Sequence, residues 1–198
     1  MSQNNFLSFC RRFARNRAAL LGLVLLVAIV VVAIAGPSLY PVNPFALAGT
    51  PFQKPFGHYL LGTDMLGRDV LAGVIYGART SLIIGIVATL AATFLGVFIG
   101  SIAGYYGGVV DEILMRFTEI FQTIPSFIFA ILLVAILSPS IESVILAIAV
   151  VSWPPMARLV RGEFQAVFSR EFVQACISMG MSDTRVIVAH ILPNCLSP

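Results

Sequence analysis

Residues 80 to 103 read Thr80-Ser81-Leu82-Ile83-Ile84-Gly85-Ile86-Val87-Ala88-Thr89-Leu90-Ala91-Ala92-Thr93-Phe94-Leu95-Gly96-Val97-Phe98-Ile99-Gly100-Ser101-Ile102-Ala103, 24 residues without a charge. At about 1.5 Å per residue the run makes a helix of about 36 Å, which spans a hydrocarbon core of about 30 Å if it tilts. Within and just beyond it, Ala88, Ala92, Gly96, Gly100 and Gly104 recur every four residues. That spacing puts a strip of small side chains along one side of the helix, where a neighbouring backbone can come close. A seam inside the subunit and a seam between subunits fit the strip equally well.

Three more uncharged apolar stretches flank this one: Ala18 to Ala35, Ile120 to Leu137 and Ser143 to Ala157. Over all 198 residues, 59% are hydrophobic and 11% charged, with a mean hydropathy of +0.97. A soluble domain carries roughly 25% charged residues, so a water-facing surface cannot be built from this composition. The expected class is all-α, a polytopic helical membrane protein. The expected order is a cytoplasmic segment 1–17, a first span 18–35, an external loop 36–79 and a second span 80–103. A cytoplasmic loop 104–119, spans at 120–137 and 143–157 and a cytoplasmic segment 158–198 complete it.

Composition also removes whole functional classes. Cys10, Cys176 and Cys195 show no C-x-x-C spacing, and His58 and His190 are the only histidines. Neither a disulfide framework nor a metal site is indicated. The single lysine is Lys54 and no G-x-x-x-x-G-K-[ST] occurs, so the chain holds no P-loop. Nucleotide energy, where used, must come from a partner, and no cofactor is expected in the chain itself. No basic stripe with interleaved aromatics points to nucleic acid. No apolar segment carries a facing pair of Asp, Glu, His or Ser/Lys suited to proton transfer or nucleophilic attack, which argues against an intramembrane enzyme.

Orientation follows from the basic residues. Arg11, Arg12, Arg15 and Arg17 precede the first span. Ala33-Ile34-Ala35 before Gly36-Pro37 has the look of a signal-peptidase site, but 18 apolar residues exceed the usual h-region of about 7 to 15. The run is read as an uncleaved helix stopped by Pro37 and Pro41. With the N-terminus cytoplasmic, nine of the twelve basic residues lie inside, leaving Lys54, Arg68 and Arg79 outside.

The external loop begins with Pro37, Pro41, Pro44, Pro51 and Pro55, which predict extended or polyproline-like chain rather than a domain. Its second half predicts a short helix from about Met65 to Tyr76 lying on the membrane surface, capped by Thr63 or Asp64. Asp64 and Arg68 stand four apart and are expected to pair; their reading is divided between a structural ion pair and a contact with solute or delivery protein. In the third span Pro125, after the charged lead-in Asp111, Glu112, Arg116 and Glu119, invites a kink. The fourth, about 22 Å long, ends at Trp153-Pro154-Pro155, with Trp153 marking the interface. Beyond it, two short amphipathic helices are expected around Met179-Gly180-Met181-Ser182-Asp183, with Gly180 ending one and Ser182 or Asp183 capping the next.

Gln174-Ala175-Cys176, three residues, Gly180, nine residues and His190-Ile191-Leu192-Pro193 resemble the EAA loop of ABC importer permeases, E-A-A-x3-G-x9-I-x-L-P. Ala175, Gly180, Leu192 and Pro193 agree; Gln174, Cys176 and His190 replace Glu, Ala and Ile. The block Leu61-Gly62-Thr63-Asp64-Met65-Leu66-Gly67-Arg68-Asp69-Val70, followed by Gly77-Ala78-Arg79-Thr80-Ser81-Leu82, is similar to the segment before the second helix in the dipeptide, oligopeptide and nickel branch. Gly104-Tyr105-Tyr106-Gly107-Gly108, Met115-Arg116, Ile124-Pro125-Ser126 and His190-Ile191-Leu192-Pro193-Asn194 continue that resemblance along nearly the whole chain.

The resemblance implies a type I importer permease fold in a bacterial inner membrane. It implies a second permease subunit as partner, two cytoplasmic ATPases that use ATP and Mg, an external solute-binding protein, and surrounding lipid. Gln174, Ala175, Gly180, Ser182 and Asp183 become candidates for ATPase contact, and Asp64, Arg68 and Asp69 form the external-loop motif. The branch has two further membrane helices after the EAA loop, whereas this sequence stops at Pro198, so a permease truncated after the loop is expected. Di- or oligopeptides are the expected solutes, with glutathione-like compounds and metal chelates sharing the same blocks. A non-ABC scaffold or assembly subunit is the other class, as is a non-functional permease fragment.

Overall fold

A computed structural model describes residues 13–195; Cys10, Arg11 and Arg12 lie outside the described residues. Helices account for nearly all regular structure, and among the described residues only two isolated antiparallel bridges, Leu47 with Arg68 and Thr63 with Asp69, have strand character. Among the described residues three helices are long and apolar enough to cross a membrane, or four if one bent pair is a single span. The chain divides into two compact units, one up to Ile83 and one from Ile84 onward.

In the first unit, α1 (Arg17–Leu39) starts at Asn16, whose side-chain oxygen accepts the N–H of Ala18 at 3.1 Å and of Ala19 at 3.3 Å. The helix does not stop at Pro37. Pro37 sits in its last turn, and Tyr40 closes that turn by donating to the Gly36 carbonyl at 2.8 Å. A proline interrupts a helix only by the one bond it withholds and its clash with the preceding turn, and a last turn tolerates both.

The external loop corrects two expectations. Its proline-rich half is not loose extended chain: it folds back on the segment 59–69. Ala48 and Gly49 donate to the Gly67 carbonyl, Phe52 to Asp64 and Thr63 to Gln53. Gly62 and Gly67 hold φ near +75°, and a Cβ on either would lie 2.2 or 2.1 Å from a backbone oxygen. Glycine is required there by conformation and by space. Nor is there a separate surface helix from Met65. Residues 65–67 form a turn, Arg68 and Asp69 bridge, and α2 (Val70–Tyr106) begins at Val70 and continues through the position expected for the second span. Its cap is Asp69, not Thr63 or Asp64: Asp69 Oδ1 accepts from Leu71 N at 2.8 Å and Ala72 N at 3.3 Å.

In the second unit, α2 ends at Gly107 and Gly108, both with positive φ. The segment expected as a loop, 104–119, is instead mostly α3 (Gly108–Thr123). The helix expected over 120–137 is broken at Ile124-Pro125 into α3 and α4 (Ser126–Ile136), bent by 82°. Residues before proline disfavour the α region, and Ile124 is extended at φ −89°, ψ 130°. At 11 residues, α4 is about 16 Å long and does not cross a bilayer by itself.

Helix α5 (Ile141–Phe168) is capped by Ser140, whose Oγ accepts Ser143 N at 3.2 Å. Its 28 residues run straight through Pro154 and Pro155, so the fourth apolar segment is the first half of a longer helix. Trp153 does not face outward. It is buried, packed with Ala92 and Ala157 and against the rings of Phe117 and Phe121 at 6.0 and 5.2 Å. Beyond Ser169 come α6 (Glu171–Ser178), α7 (Asp183–Arg185), a π-helical segment (Val186–Ile191) and α8 (Leu192–Cys195).

Candidate functional site

The strip Ala88, Ala92, Gly96, Gly100 and Gly104 is buried along its whole length. It lies against α5 of the same chain. A Cβ on Gly96 would sit 2.6 Å from Met156 Cβ, on Gly100 2.5 Å from the Ala157 carbonyl, and on Gly104 2.5 Å from Phe164 Cβ. Glycine is there because two backbones touch. The opposite side of α2 shows Leu90, Phe94 and Phe98, all largely exposed, the inverse of a soluble helix and suited to lipid.

Where α2 and α5 end, a cluster of Tyr105, Phe164, Val167, Val173, Cys176, Val186 and Ile191 forms a buried core. It is filled from five elements: the last turns of α2 and α5, then α6, and the π-helical segment with α8. Spacing explains the choice. In α6 the buried Val173 and Cys176 are three apart, and Gln174 and Ala175 between them face outward.

The turn after α6 is a Schellman motif. Gly180 N donates to the Ile177 carbonyl at 2.9 Å and Met181 N to the Cys176 carbonyl at 3.2 Å, with Gly180 at φ +79°. No atom lies within 4 Å of where its Cβ would be. Ser182 then starts the next helix through its backbone carbonyl, which accepts from Arg185 and Val186; its side chain makes no cap bond. Asp183 does not cap either. Its carboxylate accepts the Tyr105 hydroxyl at 2.7 Å and the Tyr106 hydroxyl at 3.4 Å, tying the turn to the end of α2. The sequence reading missed this bond because its partners are 78 residues apart.

A second tie was equally invisible. Arg161 on α5 donates from Nε and Nη2 to the two oxygens of Asp111 on α3, both at 2.5 Å, and Gln165 adds a bond at 3.3 Å. Asp111 is largely buried. A side-on guanidinium fork is the strongest geometry available to an ion pair. Arg158 and Arg116 reach Glu119 at 3.5 and 3.3 Å at the surface.

The five docking candidates therefore share one place. Gln174, Ala175, Gly180, Ser182 and Asp183 are all exposed, on α6 and the turn after it, above the buried cluster. Gln174 donates to the Phe168 carbonyl at 2.9 Å. Cys176 is buried and is part of the core. Cys195 is half-buried, and its thiol is pushed above the usual range, first by burial and then by Glu163.

The external-loop motif lies in the other unit. Asp64 and Arg68 do not form the expected ion pair. Asp64 Oδ1 instead accepts the backbone N–H of Leu66 and of Arg68, each at 2.8 Å. The Arg68 backbone bond is the main reason the Asp64 carboxyl is held below its ordinary range. The Arg68 guanidinium stands 6.0 Å from the centre of the Phe45 ring. Asp69 is buried, and its Oδ2 accepts the Tyr40 hydroxyl at 2.5 Å. Among the described residues no group of His, Cys, Asp and Glu is placed to hold a metal ion.

The family described as binding-protein-dependent transport system inner membrane component matches residues 96–198. The N-terminal TM domain of oligopeptide transport permease C matches residues 6–55. The chain is 39% identical over 193 residues to the dipeptide transport system permease protein DppC of Haemophilus influenzae, covering 94% of this chain and 65% of that protein. It is 40% identical over 190 residues to the oligopeptide transport system permease protein OppC of Escherichia coli, covering 94% and 63%. The chain thus spans a little under two thirds of the length of these relatives. The first family's match covers all three seam glycines and the whole exposed helix pair, and the chain belongs to the binding-protein-dependent transport system inner membrane component family.

Proposed function

We propose that the chain is the permease subunit of an ATP-driven, binding-protein-dependent importer of di- or oligopeptides. In this reading it sits in the bacterial inner membrane with its N-terminus cytoplasmic, beside a second permease subunit. Two cytoplasmic ATPases using ATP and Mg dock on the helix pair around Gly180, and an external binding protein delivers the solute. The chain performs no chemistry of its own.

One observation carries the proposal. The exposed rim Gln174, Ala175, Gly180, Ser182 and Asp183 rides on a core built from the ends of the two helices that share the glycine seam. A push on the rim is transmitted because each link is stiff. The Schellman turn fixes the angle between α6 and the next helix, Tyr105 holds Asp183, and the Asp111–Arg161 fork holds α3 to α5. Packed interfaces of this kind shift between discrete arrangements instead of deforming continuously, which is what alternating access needs. Docked ATPases drive the change only if they bind the two arrangements with different affinity.

The test is extraction in mild detergent and identification of what copurifies, with transport assayed in parallel. Recovery with P-loop ATPases and a second permease is expected. The variant Gly180→Val should insert normally but hydrolyse ATP without taking up peptide. Normal uptake in that variant sinks the docking assignment.

A further inference from the structure

Two of the cavities in the structure are walled by apolar side chains: one at Phe127, Val134 and Ile148, the other at Val31, Leu39 and Ile75. A third, of about 640 Å³ in the external-loop unit, is different. Arg68, Asp64, Tyr76 and Thr80 line it together with the Phe45 ring, and Gly73 and Gly77 leave one wall open.

The polar groups around this cavity are short of partners. Arg68 Nε is closed off from solvent and has no acceptor, the one such buried side-chain atom among the described residues. Arg68 also lines the cavity, where a guanidinium not held in an ion pair is a ready partner for an anionic group. Asp64 spends Oδ1 on two backbone N–H groups, while Oδ2 receives no hydrogen bond among the described residues. The hydroxyls of Tyr76 and Thr80 make none among the described residues. Asp64 and Arg68 also stand beyond the 4.0 Å ion-pair distance of one another. By contrast Asp69, on the same wall, is fully engaged by Tyr40, Leu71 and Ala72. Among the described residues the cavity thus holds a cation and an anion that form no ion pair with one another, beside an aromatic face.

We infer that this cavity receives a small zwitterionic peptide, its carboxylate on the Arg68 guanidinium and its ammonium on Asp64 Oδ2. A guanidinium takes a carboxylate by two parallel N–H bonds, and a carboxylate oxygen takes an ammonium as a charge-assisted acceptor. Phe45 supplies an apolar surface for a side chain. Choosing a peptide over a single amino acid rests on the volume of about 640 Å³. Linking the site to uptake rests on the importer reading above.

The test uses the full chain in lipid nanodiscs and equilibrium dialysis with four probes: alanyl-alanine, its C-terminal amide, its N-acetyl form and free alanine. In the unmodified chain, amidation or acetylation should each weaken binding at least tenfold, as should shortening to alanine. Arg68→Gln should weaken the free dipeptide about tenfold and abolish its advantage over the amide. Asp64→Asn keeps the Oδ1 acceptor of the turn and should abolish the advantage over the acetylated form. The inference is overturned if the amide or the acetylated form binds as well as the free dipeptide in the unmodified chain. It is also overturned if Arg68→Gln preserves the preference for the free acid, or if alanyl-alanine shows no binding at millimolar concentration. The ligand comparison in the unmodified chain does not depend on how either variant folds. ATPases that copurify while the dipeptide fails to bind would remove this site and leave the importer reading standing.

Discussion

Gly100 and Gly180 are the same residue type under opposite constraints. At Gly100 the helix backbone is ordinary and space is lacking, since an added Cβ would lie 2.5 Å from the Ala157 carbonyl and 2.9 Å from Val160 Cβ. At Gly180 space is free within 4 Å and the backbone is special, at φ +79°. The seam therefore selects against volume, and the turn selects against a side chain of any size. A seam of touching backbones moves as a unit; a turn set by φ holds an angle between two helices. In the importer proposed above they would act as a lever, with the seam of α2 and α5 as the body and α6 and the following helix as the arm.

Gly100→Leu should have the largest effect. Overfilling a packed site costs about 1 to 3 kcal/mol and more where backbone must shift, and here the obstacle is backbone on α5. A loss above about 3 kcal/mol, read as a lowered melting temperature in detergent, is expected, and unchanged stability would break the seam. Gly96→Leu should behave in the same way against Met156.

Next is Asp111→Ala, which strands the Arg161 guanidinium. Removing one partner of a fully buried pair costs about 3 to 5 kcal/mol; with the Arg161 side chain 35% exposed, about 2 kcal/mol is expected. A melt like that of the parent would show that the fork is surface decoration.

At the turn the ranking by side chain should invert relative to the seam. Gly180→Ala should cost about 1 kcal/mol, because a left-handed residue carries a penalty of roughly 1 to 2 kcal/mol, and Gly180→Asn less, since Asn visits that region readily. At Gly100 Ala should be tolerated better than the larger Asn. Equal rankings at the two sites would erase the distinction between volume and conformation.

Smaller still is Tyr105→Phe, which removes one neutral donor to Asp183 and should cost about 1 kcal/mol. Its sharper readout is coupling: ATP hydrolysed per peptide imported should rise while membrane insertion stays normal.

The smallest effect is a pH dependence in the external unit. The Tyr40 hydroxyl is raised above its ordinary value of 10.0, first by its bond to Asp69 and then by burial. A raised phenol contributes stability that is complete below 10.0 and fades as pH climbs through the raised value. The ultraviolet tyrosinate difference between the parent and Tyr40→Phe should titrate above pH 10.0; a midpoint below it would contradict the Tyr40–Asp69 bond.

Legibility in the sequence followed range. The four-residue recurrence of small side chains and the Gly180 turn are local patterns, and their geometry is short-range physics. The helix count came from apolar run length for the same reason. Helix ends were misread where local rules meet tertiary support: Pro37 and Pro154-Pro155 suggested stops, yet α1 and α5 continue past them, α5 with its Trp153 face packed against Ala92 and Phe121. The break at Ile124-Pro125 was foreseen as a kink, but not its 82°. Asp111–Arg161 and Tyr105–Asp183 join residues 50 and 78 positions apart, and no periodicity reports such pairs. The i, i+4 pairing of Asp64 with Arg68 presumes a helix, and the segment is a turn.

The central claim, that the exposed helix pair is where ATPases seat, is tested most directly by a photoreactive amino acid placed at Ala175 and, as a control, at Leu90 on the lipid-suited side of α2. Irradiation of intact cells should yield an adduct with a P-loop ATPase from position 175 and none from position 90. A chain that gives no ATPase adduct at 175, while accumulating normally in the membrane, would contradict it.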